Sequence, residues 1–298
     1  MALPHRISKE KPNKVQSENL SEQLHEDAAA GEWLTLIEAS LYEALSQRLA
    51  ELNNSGDPCW SAIYSLLRRL HQHVSGAISL FYSGHWESLE VLTRAAIEAS
   101  ATIILIAKDN REVRLSQFLT HHFSTMKKRV LNADPSVLEY ANKTFNQRVE
   151  ITKEAFGSVG IGLNSIGWPK TTKDRFSAAG MTLEYAHTYS FLSSNVHGDA
   201  EYIVDDIVAA CAYELEPSAR VIAASEKLYW ARYWVYTSLR YYALAVIEYG
   251  NAYDLHPVAD KAKHVESAII QKMESNVNTF RESRNTFEQK VTRGKGFG

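Results

Sequence analysis

The sequence predicts an all-α protein, an antiparallel helical bundle with extra N- and C-terminal helices. Three observations predict it. Apolar residues recur three and four residues apart through most of the chain, the spacing that lines one face of an α-helix. Clusters of Gly, Pro, Asn and Asp interrupt those runs at helix-length intervals. No stretch sustains the alternation of apolar and polar residues that marks a strand, and no repeat of solenoid period is present.

Residues 1–26 are rich in Lys, Glu, Ser, Asn and Gln and are expected to form a disordered tail. A first helix is expected over about 28–53, on the stripe Trp33, Ile37, Leu41, Leu45, Leu49 and Leu52, ended by Asn53-Asn54-Ser55-Gly56. Asp57-Pro58 opens the second, because Asp caps a helix well and Pro fits its first turn. Trp60, Ile63, Tyr64, Leu67, Leu70, Val74, Ile78 and Phe81 form its face, and Tyr82-Ser83-Gly84 ends it. A third follows over about 86–108, a fourth after Asp109-Asn110, and a fifth over about 136–155 after Asp134-Pro135. From Gly157 to Gly180 the pattern lapses into an irregular stretch, either a plain crossover or a functional loop. Helices resume over about 181–197 and from Pro217 to Gly250, the latter dense in Tyr and Trp as a core or subunit interface would be. A charged amphipathic helix over about 256–290 either docks on the body or pairs with another copy. The expected organisation is therefore a tail at 1–26, a bundle domain at 27–252, and a C-terminal helix and tail at 253–298.

Composition narrows the function classes. The chain has 298 residues, is 45% hydrophobic and 22% charged, and carries a net charge of −3, so no global basic field draws it to nucleic acid. Any RNA contact would be local. Cys59 and Cys211 sit in no Cys-x-x-Cys or Cys/His cluster, which argues against a zinc site or a disulfide framework. The polar first residues lack a signal-peptide core, and the run Ala95 to Ala107 is shorter than a membrane span and broken by Glu98. The expectation is a cytoplasmic protein with no membrane contact.

Two polar helix faces could carry chemistry. On the third helix Glu87, Glu90, Arg94 and Glu98 fall within a stripe about 80° wide, and nearly everything else there is apolar. That stripe is either a solvent window or a charged seam in which Arg94 pairs with Glu90 or Glu98. On the helix over 181–197, Tyr185, Tyr189, Ser193 and His197 stand four residues apart along one side. Gly198 fits the position after the helix end, placing His197 in the last turn, where the helix dipole favours a protonated imidazole. His197 is then either a proton donor or anion contact, or a cap on the last carbonyls.

The pieces Gly84-His85-Trp86-Glu87-Ser88-Leu89, Leu92-Thr93-Arg94-Ala95-Ala96-Ile97-Glu98, Trp168 with Arg175, and Tyr185, Tyr189, Leu192-Ser193 and Val196-His197 resemble the domain-of-unknown-function family 5677. The resemblance covers about residues 60–200 and implies no settled activity. Members of that family look similar to the HEPN superfamily of helical bundles. Many HEPN proteins are metal-independent ribonucleases of toxin–antitoxin and anti-phage systems, with an Arg, four to six residues, and a His as their usual motif. Arg114 and His121 have six residues between them, but Leu115 replaces the polar residue that commonly follows the Arg, and His197 has no Arg at that distance before it. The implied site is a variant assembled across helices: Arg94, Glu98, Tyr189, Ser193 and His197.

No cofactor is expected, and no metal. Glu184 and His187 form one Glu-x-x-His, where a di-iron bundle needs two and further carboxylates. His71 and His73 point to different sides of a helix. No P-loop spacing and no Gly-x-Ser-x-Gly occur.

Two hypotheses follow. In the first the protein is RNA-directed, of defence or toxin type, and cleaves RNA without metal. Arg94 stabilises a phosphate, His197 moves a proton, Tyr189 and Ser193 orient them, and His71, His73, His121, Lys127, Lys128 and Arg129 supply positive charge. Its partners would be RNA and a cognate antitoxin or defence protein. In the second it is a non-catalytic helical module for a partner protein, a small ligand or a second copy of itself, a homo-oligomer. There Arg94, Glu98, Tyr189 and His197 are a structural network. The discriminating observation is whether Arg94 and His197 open into one cleft or are sealed and paired.

Overall fold

The structure, a computed structural model, describes residues 28–108, 110–157, 159–162, 167–192 and 217–294, with Glu87, 217–224 and 283–294 described by backbone alone. Among the described residues there is no strand. The helices are α1 (Ala29–Asn54), α2 (Cys59–Tyr82), α3 (Glu87–Lys108), α4 (Arg111–Leu131), α5 (Leu138–Ala155), α6 (Thr172–Ala179), α7 (Thr182–Glu184), a π turn (Tyr185–Tyr189), α8 (Pro217–Ala252) and α9 (His256–Gly294).

Local chemistry sets several boundaries. Asp57 Oδ1 accepts the Cys59 N–H at 2.7 Å, capping α2 with Pro58 in its first turn. At the other end Gly84 takes φ +74°, and two bonds, His85 N–H to Leu80 O at 3.0 Å and Gly84 N–H to Phe81 O at 3.1 Å, close a Schellman motif. Trp86 Nε1 adds a bond to Phe81 O at 3.1 Å, so Gly84-His85-Trp86 is a turn that folds α3 back along α2. The stretch expected to be irregular from 157 to 180 contains α6. Its start is a capping box, Thr171 accepting the Asp174 N–H at 3.1 Å while Asp174 accepts that of Thr171. The Thr-x-x-Asp signal was present in the sequence, but eight residues are too few to show a helical period.

Helix α8 is the axis of the protein. It is buried nearly all round, with Tyr236, Tyr241, Tyr242 and Tyr249 each at most 2% exposed, as a helix surrounded by others must be. Around it pack α1, α2, α3 and α9. Helix α8 runs parallel to two earlier helices. Thr93 Oγ1 donates to Trp234 O at 3.2 Å and Ser100 Oγ to Tyr241 O at 2.7 Å, both 141 residues apart, so α3 and α8 ascend together. Likewise α1 meets α8 through Trp33 on Tyr236 and Arg48 Nη1 on Tyr253 O at 2.7 Å. The two hydroxyls of α3 are fully buried, and each bonds a helix carbonyl of α8, where an unpaired hydroxyl would cost about 1–3 kcal/mol.

The first half of α9 closes the core with Val258, Ala262, Val265 and Ile269, all at most 1% exposed. Helices α4 and α5 form a wing with a small core of their own, Phe123, Phe145 and Val149. Residues 160, 162 and 168 are strapped to α4. Gly162 N–H donates to Thr120 Oγ1 at 3.0 Å, Ser116 donates to Gly160 O, and Trp168, 3% exposed, packs on Phe118 at 5.2 Å. Gly167 takes φ +83° with the Gln117 side chain directly over it, a place where a Cβ would collide. No helix among the described residues is long and apolar enough to cross a membrane.

Candidate functional site

The charged stripe of α3 meets the π turn. Arg94 Nη2 donates to the Tyr189 hydroxyl at 3.0 Å and Arg94 Nε to it at 3.3 Å. Arg94 Nε also donates to Glu98 Oε1 at 3.2 Å, and the Tyr189 hydroxyl donates to that same oxygen at 2.6 Å. Arginine, tyrosine and glutamate thus form a closed triangle. Arg94 and Glu98 lie one helical turn apart on α3, which brings their side chains together. Tyr189 arrives from a different part of the chain.

Its position depends on the π turn. Ser190 N–H bonds Tyr185 O, one residue beyond the α-helical pairing. Tyr185 and Tyr189 stack there with centroids 5.4 Å apart and planes at 21°. Phe176 of α6 touches both, at 5.6 and 5.1 Å. Thr188 of the same turn bonds the buried Tyr241 of α8. Lys108, at the end of α3, donates to Ala179 O at 2.7 Å, satisfying an end carbonyl of α6 where the dipole favours a cation. The turn is therefore wedged between α3, α6 and α8.

The triangle is half-buried. Tyr189 is 5% exposed, and the Arg94 and Glu98 side chains are 21% and 32% exposed. Burial pushes the Tyr189 phenol above its ordinary value, the Glu98 carboxylate pushes it further, and Arg94 opposes both. Burial works against the Arg94 charge, but the bonds to Tyr189 and Glu98 outweigh it, and the guanidinium is held above its usual range. At neutral pH the three groups are one cation, one anion and one neutral phenol, with no net charge. They can orient and tie. Glu98 accepts from both neighbours, and Tyr189 keeps its proton.

Of the residues expected in the site, the structure brings Arg94, Glu98 and Tyr189 together. Ser193 and His197 lie outside the described residues, as does Cys211, and the side chain of Glu87 is not described. Arg114 donates to Gln117 at 3.2 Å, within its own helix. His71 and His73 do face apart: His71 reaches Glu38 on α1, and His73 feels Arg69 of α2. Among the described residues no group of three or more His, Cys, Asp or Glu could hold a metal ion. Cys59 is fully buried, and burial with the adjacent Asp57 charge pushes its thiol up to about 12.

Residues 61–208 match the model of a family described as a family of unknown function, DUF5677. Residues 61–208 of the chain belong to this family. No curated protein and no solved structure matches it. The family segment holds most of α2, then α3 to α7 and the π turn, and with them all of the triangle. Its buried hydroxyls at Thr93 and Ser100 are nevertheless satisfied by α8, which lies beyond the match.

Sequence reasoning missed Phe176, whose only signal was its place next to Arg175. The positive charge expected at His121, Lys127, Lys128 and Arg129 falls in a longer basic wing. Residues 111–175 contain eleven Lys and Arg against six Asp and Glu, a local +5 in a chain of −3. Lys127, Lys128, Arg129 and Arg148 are exposed there. Burial lowers the pKa of His121, and the charges of Arg175 and Lys128 lower it further. Partial burial likewise lowers that of His122, with Arg129, Arg148 and His121 adding to the effect. Arg175 and Phe176 are neighbours on α6, so the wing and the triangle adjoin.

Proposed function

We propose that this protein is an RNA-directed helical module whose phosphate-facing surface is the basic wing formed by α4, α5 and α6. The local +5 over residues 111–175, against −3 for the chain, is the observation that carries this reading. Phosphate backbones are bound chiefly by such clustered cations. The two histidines among them gain protons readily once phosphates offset the neighbouring arginines. In the finer form of the proposal the protein is a metal-independent endoribonuclease of the defence or toxin kind that the HEPN resemblance implies. Arg94 then faces the phosphate, His197 moves the proton, Tyr189 and Ser193 orient them, and Glu98 holds Arg94. The remaining exposure of Arg94 and Glu98 supports that form.

The test has two arms. Purified protein is titrated with labelled tRNA at several salt concentrations, beside a Lys128→Glu/Arg129→Glu/Arg148→Glu variant. Binding that weakens with salt, at a slope reduced by roughly 0.7–0.9 for each phosphate the variant no longer neutralises, supports the reading. Equal binding by wild type and variant, or none, overturns it. Incubation with total RNA, with and without EDTA, beside His197→Ala tests the enzyme. Cleavage that resists EDTA and is abolished in the variant supports it.

A second reading has its own observation. The Arg94–Glu98–Tyr189 triangle is internally satisfied and neutral. That favours a tie which fixes the fold of a non-catalytic module for a partner protein, such as an antitoxin. A His197→Ala variant that unfolds more easily while wild type leaves RNA intact is the outcome that supports this alternative.

A further inference from the structure

Away from the triangle, α1 and α2 part to leave a cleft of about 140 Å³ whose floor is Tyr242 of α8. A single water requires roughly 10–15 Å³ of such space, so the cleft has room for a compact molecule. Its lining is polar and aromatic. Glu38 and Tyr42 come from α1, and Tyr64, Arg68 and His71 from α2. The α2 residues fall at positions i, i+4 and i+7, one face of the helix.

Tyr242 is the second observation. It is 1% exposed and lines the cleft, and no hydrogen bond joins its hydroxyl to another described residue. The hydroxyl oxygen itself is not sealed from solvent: it opens to the cleft, where a bound molecule can replace water as its partner. Burial and the nearby Glu38 charge both push the Tyr242 phenol upward, so the group stays a neutral donor and acceptor. Glu38 bonds His71 Nε2 through Oε2 at 3.0 Å, which leaves its other oxygen open on a side chain still 55% exposed. His71 packs edge-on against the Tyr242 ring at 5.8 Å.

Two kinds of chemistry line the cleft. Glu38 and the rings of Tyr42, Tyr64 and Tyr242 suit an ammonium, through charge and through the π faces. Arg68 suits a carboxylate, through paired N–H donors. We propose that this cleft binds a small zwitterion carrying one ammonium and one carboxylate, a free amino acid, held between Glu38 with Tyr242 and Arg68. The site lies outside the triangle and outside the basic wing, so it stands whether or not the protein binds RNA.

The test is calorimetric titration and thermal shift of the full chain with each of the common free amino acids, beside its N-acetyl and methyl-ester derivatives. At least one amino acid should bind saturably and raise the unfolding midpoint with concentration as mass action requires. Its two derivatives should bind at least about tenfold more weakly, since each lacks one charge. Glu38→Gln and Arg68→Ala, both at exposed positions, should each weaken binding about tenfold without lowering the unfolding midpoint. Tyr242→Phe should weaken binding while leaving the free protein about as stable, because the hydroxyl it deletes bonds no other described residue and opens to the cleft. No saturable binding by any amino acid overturns the proposal. So does binding that either derivative matches, or that all three variants retain.

Discussion

Replacing Tyr189 by Phe removes one oxygen from the triangle and nothing else. The ring stays stacked on Tyr185 and packed against Phe176, so no cavity forms. Three hydrogen bonds go with the oxygen, at 2.6, 3.0 and 3.3 Å, each with a charged partner. Hydrogen bonds to charged groups are worth about 1.5–3 kcal/mol. Two facts place the cost at the lower end. Arg94 and Glu98 still meet directly at 3.2 Å, so neither charge is orphaned, and their side chains keep 21% and 32% exposure to water. The expected cost is about 1.5–2 kcal/mol, read from urea unfolding at constant slope. For a chain of this size that is a fall in thermal midpoint of about 2–4 °C. A double-mutant cycle with Glu98→Gln should show coupling of about 1 kcal/mol, because the hydroxyl donates to Glu98 at 2.6 Å. A destabilisation below about 0.5 kcal/mol, or costs that simply add, would refute the triangle as a tie between α3 and the π turn.

Other perturbations probe other elements. Gly167→Ala should cost about 1–2 kcal/mol for the left-handed backbone, the flexible end of Gln117 shifting aside for the new Cβ; urea unfolding reads the cost. His121 and His122 are depressed below the ordinary imidazole value of 6.5, so protonation is harder in the folded state. Their contribution is present above pH 6.5 and lost as pH falls toward the folded values, and His121→Gln/His122→Gln should flatten the urea midpoint between pH 7 and about pH 5. Phosphate binding on the wing would raise both values, so RNA affinity should grow as pH falls through the same window; an affinity that ignores pH there argues against contact with these histidines. The phenols of Tyr241, Tyr242, Tyr249 and Tyr253 are all raised above 10.0, chiefly by burial. Stability from these groups is full below pH 10 and lost as pH rises above it, so tyrosinate absorbance should appear for this set only together with loss of helical circular dichroism. Ionisation of all fifteen tyrosines in one ordinary step, with the helices intact, would contradict the buried α8.

The helices announced themselves because their rules are local. The Asp57-Pro58 start, the Gly84 turn, and the stripes on α1 and α2 need only neighbours within a turn or two. Helix α6 was hidden for the same reason in reverse: a capping box was present, but eight residues carry too little period. The Arg94–Glu98 contact was legible because residues four apart on a helix touch whatever surrounds them. The Tyr185, Tyr189 stripe was legible too, although π rather than α geometry stacks the two rings. The cleft of Glu38, Arg68 and Tyr242 was not, since its walls come from three helices up to about two hundred residues apart.

By itself, then, the sequence determined which segments are helical, which faces are apolar, and that one arginine sits among glutamates on a helix with little other polarity. Tertiary structure decided that α8 is the axis, parallel to α1 and α3, because an all-round apolar helix does not say which neighbours it will take. It also decided that Arg94 is answered by Tyr189 across 95 residues of chain, and that Tyr242, buried in the core, also floors a cleft. Those are matters of which surfaces meet, and hydrophobic burial, being non-directional, leaves them to the packing of the whole.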